Sequence, residues 1–212
     1  MMMHRMQSGF TLLELAIVMT IIGLVFALTV KAGEMINHSR VKSLATDFNS
    51  LQIALYGYRD RFRALPGDDS DASAHLPDPG VAIHNGNGNA IIDGHWNSTS
   101  GESFNLWQHV RLAGFITGTT DISLNAYVPL NTSGGALGLS ESSSAPIEGL
   151  GGNYIICSDN IPGKLVRQLD LTMDDGNTAG GAMLVSHATV GGAGIATDDI
   201  VDNNFYLACL GV

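Results

Sequence analysis

From Phe10 the chain runs through 21 residues, FTLLELAIVMTIIGLVFALTV, that carry a single charge at Glu14. At ~1.5 Å per residue this makes about 31 Å of helix, matching the ~30 Å hydrocarbon core of a bilayer. A secretory signal peptide has a shorter apolar region of ~7–15 residues and an A-x-A-like cleavage site behind it. This run is longer and no such site follows, so the pattern predicts a retained membrane anchor. Past Val30 the period changes without a helix breaker. Val41, Leu44, Phe48, Leu51, Leu55, Tyr58 and Phe62 form one apolar seam, with Lys42, Asp47, Asn49, Arg59, Asp60 and Arg63 off it. Gly57 weakens this stretch by about 1 kcal/mol against Ala, which packing can absorb. Leu65-Pro66-Gly67 ends it, because the residue before Pro disfavours αR and Gly leaves a helix readily. The pattern thus predicts one helix from Phe10 to about Ala64, ~80 Å long. Residues 10–30 are apolar all round and residues 31–64 are amphipathic, so the second half needs a partner to pack on.

Residues 65–212 read as that partner, a globular domain. Its first part, 66–103, is rich in Pro, Gly, Asn, Asp and Ser and reads as ordered loop. A short helix is expected at Phe104–Ala113, stopped by Gly114. Strand candidates follow at Ala126–Leu130, Asn153–Cys157, Ala182–His187 and Phe205–Leu210, separated by Gly and Asn clusters as in an antiparallel sheet with long connections. Ile161–Asp170 places Leu165, Val166 and Leu169 on one side of a second short helix, and Met173-Asp174-Asp175-Gly176 turns the chain towards the next strand. The predicted class is α+β: a long N-terminal helix packed on a C-terminal antiparallel sheet domain.

Composition sharpens this division. Only 14% of the 212 residues are charged and 26 are Gly, which with 45% hydrophobic residues excludes a disordered acidic chain, a coiled coil and a collagen-like chain. The net charge of −10 argues against nucleic-acid binding through phosphate contacts, which need a Lys/Arg surplus. The charge is also uneven: residues 1–63 hold seven Lys/Arg against four acids, and residues 64–212 hold three against sixteen. Two parts of different chemistry therefore meet near residue 64. No enzyme is expected. No GxSxG anchors a hydrolase triad, and the seven His show no HExxH or short paired spacing.

The residues Gly9-Phe10-Thr11-Leu12-Leu13-Glu14, behind a short polar leader containing Arg5, resemble the class III signal of the type IV pilin family, which includes major and minor pilins and the pseudopilins of type II secretion. The resemblance implies a leader of residues 1–9 removed between Gly9 and Phe10 by a prepilin peptidase, and N-methylation of the new Phe10 amine. It further implies a single-pass precursor in a bacterial inner membrane, N-terminus cytoplasmic and C-terminal domain periplasmic. Arg5 on the cytoplasmic side agrees with the positive-inside tendency. Partners would be other pilin-like subunits of a homo- or hetero-oligomeric filament and the inner-membrane assembly platform, with the filament at the cell surface or in the periplasm. Many major pilins have Pro about eight residues after the helix Gly; here Gly23 is present but Lys31 takes that place, which tilts the expectation towards a minor pilin or pseudopilin-like subunit. A minor tip or adhesin subunit that binds a surface or a secretion substrate is the alternative to a structural subunit.

Three constellations carry the candidate sites. Glu14 is a carboxylate at membrane depth, which costs at least ~2.5–3.5 kcal/mol on insertion scales. Cleavage would create a cationic amine on Phe10, four residues earlier and on the same helix face. Glu14 then neutralises its own or a neighbour's amine, the role the family assigns during assembly; the bland alternative is a carboxylate that snorkels to the interface. Cys157 and Cys209, the only cysteines, each close an apolar run, NYIIC and FYLAC. Outside the cytoplasm they are expected to form a disulfide between neighbouring strands, the alternative being two buried thiols. Finally, Asn85, Asn87, Asn89 and Asp93 put oxygen-bearing side chains at the spacing of an EF-hand loop, with Ile92 in the apolar position. The match is partial, because Ala90 replaces the loop Gly and Trp96 stands where a bidentate Glu belongs. The loop is a calcium candidate, or else a series of Asn-Gly turns. No other cofactor is expected.

Overall fold

The computed structural model describes residues 10–187 and 192–212. A helix α1 (Leu12–Phe62) is followed by a single turn α2 (Ala72–His75), a helix α3 (Glu102–Leu112), a strand β1 (Leu137–Glu141), a strand β2 (Tyr154–Pro162), a helix α4 (Gly163–Met173), and strands β3 (Met183–His187) and β4 (Phe205–Gly211). The strands form one antiparallel sheet in the order β1-β2-β4-β3. A long N-terminal helix with a four-stranded antiparallel sheet is an α+β arrangement, as the pattern predicts. By internal contacts the chain divides into two compact units, one up to Ser39 and one of Arg40–Val212.

In the first unit, α1 is apolar on every side from Leu15 to Thr29 and its large side chains are exposed, among them Leu12, Met19, Phe26 and Leu28. Its hydroxyls are satisfied within the helix: Thr20 Oγ1 donates to the carbonyls of Ala16 and Ile17, and Thr29 Oγ1 to that of Phe26. This suits an apolar solvent, in which an unpaired polar group is expensive. Among the described residues, α1 is the one helix long and apolar enough to cross a membrane.

In the second unit, the seam does what its spacing requires. Val41, Leu44, Phe48, Leu51, Leu55 and Tyr58 are buried, each such side chain contributing about 1.5–3 kcal/mol when removed from water. The first five join one core with Leu106 and Val110 of α3, Leu165, Val166 and Leu169 of α4, and one face of the sheet, Ile156, Met183, Val185, Ala208 and Leu210, while Tyr58 packs in a smaller cluster with Ala72 and Leu76. The period-2 alternation of the strands sends Ile155, Cys157, Leu184, Leu207 and Cys209 to the opposite face, where Trp96 and Ile147 cover them. The sheet is therefore buried on both sides. Gly57, weak by propensity, has a packing reason: the ring of Phe115 lies 2.6 Å from where its Cβ would stand.

One predicted strand is corrected. Ala126–Leu130 contains no strand; only an isolated bridge pairs Leu130 with Ala136, and the first strand is Leu137–Glu141. Pro129 cannot donate to a ladder, and Tyr127 turns inward, where its hydroxyl donates to the Phe104 carbonyl and accepts from the Gln108 amide. The true strand was masked by Gly138, whose missing side chain makes room for the Trp96 carbonyl, 1.8 Å from the Cβ position. The helix predicted at Ile161–Asp170 begins at Gly163 and runs on to Met173, because Ile161 and Pro162 still pair with Tyr206 and Phe205.

Candidate functional site

The candidate residues fall into three places. The first is the head of α1. Gly9 and Arg5 lie outside the described residues, and the description begins at Phe10, which is exposed and precedes the helix. Thr11 Oγ1 accepts a hydrogen bond from the Glu14 backbone N–H at 3.2 Å. Thr11 is thus the N-cap and Glu14 the third helical residue, the T-x-x-E spacing of a capping box. Glu14 is the acidic residue of the first turn, which puts its charge at the electropositive end of the helix.

The second place is the loop after Pro66. Two carboxylates organise it from inside the domain. Asp68, 3% exposed, accepts the N–H groups of Asn89 and Ala90, one on each oxygen, at 3.0 and 2.8 Å. Glu102 at the start of α3 accepts the N–H groups of Asn87 and Asp93 at 2.9 and 3.0 Å. Burial pushes the Glu102 carboxyl above its ordinary range; those two N–H bonds work against the rise, and the charges of Asp68 and Asp93 add to it. Gly86 and Gly88 donate to the Asp69 and Asp68 carbonyls, and Gly86 has no room for a side chain, with the Asp68 backbone 2.3 Å from its Cβ position.

Within this frame Asn87, Asn89 and Asp93 come together. The amides of Asn87 and Asn89 both reach Asp93 Oδ2, at 2.9 and 3.3 Å, while their own oxygens accept the N–H groups two residues on. Ala90, in the glycine position of the motif, adopts φ = 66°, the conformation glycine would supply. Asn85 goes elsewhere, bonding Ser73 through both ends of its amide. Ile92 is fully buried, and Trp96 is part of the core on the far face of the sheet. Among the described residues no three His, Cys, Asp or Glu side chains are grouped closely enough to hold a metal ion.

The sequence reading missed a neighbouring network. Asp69, 2% exposed, accepts from Tyr58 Oη at 2.7 Å and lies 2.8 Å from His75 Nδ1. Burial alone would raise its carboxyl, but the bonds from His75 and Tyr58 hold it below the ordinary carboxylate range. Buried His109 accepts the Gly67 N–H on Nδ1 and donates Nε2–H to the His84 carbonyl, and burial lowers its pKa. Together these groups bind the end of α1 to the loop. The signal available in the sequence was Tyr58 within an apolar seam and Asp-Asp directly after the helix stop.

The third place is the cysteine pair. Cys157 on β2 and Cys209 on β4 stand directly opposite in register and are joined by a disulfide, with Cα atoms 4.1 Å apart. Both are fully buried beneath Trp96 and Ile147.

Comparison with known families bears on the first of these places. Residues 4–30 match the family described as prokaryotic N-terminal methylation motif. The chain carries a prepilin-type signal. That signal, an apolar helix able to span a membrane and a disulfide in the C-terminal domain are the features of a type IV pilin-like or pseudopilin precursor. The match covers residues 4–30, which include the apolar half of α1, and leaves the sheet domain outside it. No curated protein matches the chain.

Proposed function

We propose that this protein is a structural subunit of a type IV pilus or pseudopilus-like filament, cleaved between Gly9 and Phe10, N-methylated on Phe10, and assembled out of the inner membrane by helix packing. The observation that carries this reading is the methylation motif at residues 4–30 running directly into an apolar helix whose single charge is Glu14. Before assembly, lipid covers the side chains that α1 leaves exposed in its first half. In the filament, the same half-helices of neighbouring subunits replace lipid, and the acidic domains face outward.

Glu14 gives the exchange its register. Its charge is costly in hydrocarbon, and the amine of an incoming subunit's Phe10 offsets that cost only when the two helices are staggered so that amine meets carboxylate. Mass spectrometry of membrane-extracted protein is expected to find a chain beginning at methylated Phe10, with Gly9→Val accumulating the longer precursor. Glu14→Ala is expected to insert at least as well as wild type yet to enter filaments poorly. A functional mature chain that keeps Met1 would refute the reading, and normal incorporation of Glu14→Ala would leave Glu14 only its capping place.

We also propose a weak calcium site at Asn87, Asn89 and Asp93. Its support is the meeting of the three side chains and the left-handed turn at Ala90. Binding requires the Asn87 and Asn89 amides to flip, releasing the N–H groups of Asn89 and Ile91 and turning oxygens in place of nitrogens towards Asp93. With Asp68 and Glu102 kept on backbone N–H groups, the donor set is one carboxylate and two neutral amides. Such a set fits the ~10⁻⁴–10⁻³ M affinities of extracellular modules.

A further inference from the structure

Asp170 stands apart from every other buried carboxylate described above. It lies in the last turn of α4, is 0% exposed, and no side chain or cation among the described residues pairs with either of its oxygens. Burial pushes its carboxyl up to about 6; the Gly176 backbone N–H works against the rise, and the charges of Asp174 and Asp175 add to it. Those two acids belong to the turn that follows α4 and are the charges facing it. The strands packed against α4 carry Tyr154 and Asp159 on β2, His187 on β3 and Tyr206 on β4, and α1, which meets α4 through Asn49 and Met173, carries Asp47 nearby. None of these bonds to Asp170.

The turn above it is the attachment of an edge strand. Asp174 accepts the N–H groups of Ala182 and Met183, which pins the start of β3 to the end of α4. Fully buried Thr178 accepts the Val185 N–H on its carbonyl and donates its hydroxyl to the Ile195 carbonyl. Thr197 Oγ1 in turn donates to the Gly176 carbonyl. The segments 174–183 and 195–197 are therefore stitched together, and the layer meets Asp170 through the Gly176 N–H and the charges of Asp174 and Asp175.

We propose that Asp170 is a proton-operated latch on the α4–β3 connection: protonated, it lets residues 174–183 close over α4, and ionised, it opens that layer to reach water. A neutral carboxyl tolerates a dry site facing two negative charges, whereas a carboxylate offset by one backbone N–H and no cation does not. Water reaches the group most readily if the turn lifts, and the turn carries the pins of β3 with it. Because the proton is bound more tightly in the closed form, closure is fully supported at acid pH and is lost as the pH rises through about 6. The latch thus gives the domain a tight form in acid and a looser edge at neutrality.

Amide hydrogen exchange of residues 174–185 in the full chain, held in detergent micelles and corrected for intrinsic exchange, tests this directly. Between pH 5 and pH 7.5 the opening constant of the segment is expected to rise about tenfold, the share of a roughly two-unit shift that falls in this window. The paired centre of β2 and β4, Ile155–Ser158 and Ala208–Gly211, is expected to stay unchanged. Asp170→Asn is expected to hold the segment closed at both pH values, and Asp175→Asn to move the midpoint to lower pH while keeping the step. A flat wild-type profile, the same step in Asp170→Asn, an unmoved midpoint in Asp175→Asn, or loss of the step in His187→Gln would each overturn the proposal. So would recovery of protection at pH 7.5 on adding millimolar calcium, which would mean that a metal ion and not a proton neutralises Asp170.

Discussion

Phe26 and Phe48 sit on the same helix, six turns apart, and meet opposite fates. Phe26 is 70% exposed in a stretch where every large side chain is exposed, whereas Phe48 is fully buried against α3, α4 and the sheet. Local propensity does not distinguish the two stretches, since both are helical from end to end. What differs is the arrangement of polar residues. A stretch with almost none has no face to turn towards water and must find an apolar solvent. A stretch with Lys42, Asn49 and Arg59 off its seam can be wet on one side and packed on the other. One element therefore serves two solvents, and the change from one to the other is written in side chains while the backbone stays the same.

The sharpest way to break this comparison is to delete the two rings. Phe48→Ala is expected to destabilise the second unit by about 3–5 kcal/mol, as large-to-small core changes do, lowering Tm by roughly 10 °C at ~2–4 °C per kcal/mol. Phe26→Ala is expected to leave that melting unchanged while weakening membrane retention or filament packing. Trp96 and Trp107 both lie in the second unit, so their fluorescence reads its unfolding alone. Equal effects of the two changes would mean that the two stretches are not independent. Next in size is the disulfide, whose 52-residue separation corresponds to roughly 4 kcal/mol on the loop-entropy view, often less in practice. Replacing Cys157 and Cys209 by Ser together is expected to cost about 2–4 kcal/mol in the same assay with the first stretch still helical. Non-reducing digestion should yield one linked Cys157–Cys209 peptide pair. The smallest effect belongs to the loop that holds the end of α1: millimolar calcium is expected to raise stability by about 1 kcal/mol over chelator, with magnesium doing less. Asp93→Ala is expected to remove that difference, and equal melting with calcium and chelator would leave the loop as a hydrogen-bonded turn series.

The elements legible in the sequence are those whose period repeats over several turns or strands. The seam from Val41 to Phe62, the short helix around Trp107, and the runs NYIIC and FYLAC all declared themselves by spacing. The first strand did not, because its centre is Gly138, a residue that spacing counts against a strand and that only the approach of the Trp96 carbonyl explains. In the loop, the alternation of Asn pointed to a cluster and three of the four residues do meet, but Asn85 was drawn away by Ser73, a partner twelve residues earlier that no local pattern reveals. Asp68 and Glu102 were legible only as spare charge. Their use as double acceptors for backbone N–H groups depends on α3 and the loop being brought together by the fold. Asp170 was hidden most completely, because nothing about an Asp beside Leu169 in a helical run says that it will be buried with no side-chain partner.

Thr11 sets a boundary with a chemical meaning. By accepting the Glu14 N–H it starts the helix at Leu12, two residues beyond Phe10, so the residue proposed as the new terminus stands outside the helical hydrogen bonds. Cutting there would leave a positive amine at the end of a macrodipole that is already positive, an arrangement that frays a helix unless an anion stands in the first turn. Glu14 is that anion. The residue that would bring neighbouring subunits into register would thus first protect its own helix from the charge that maturation adds.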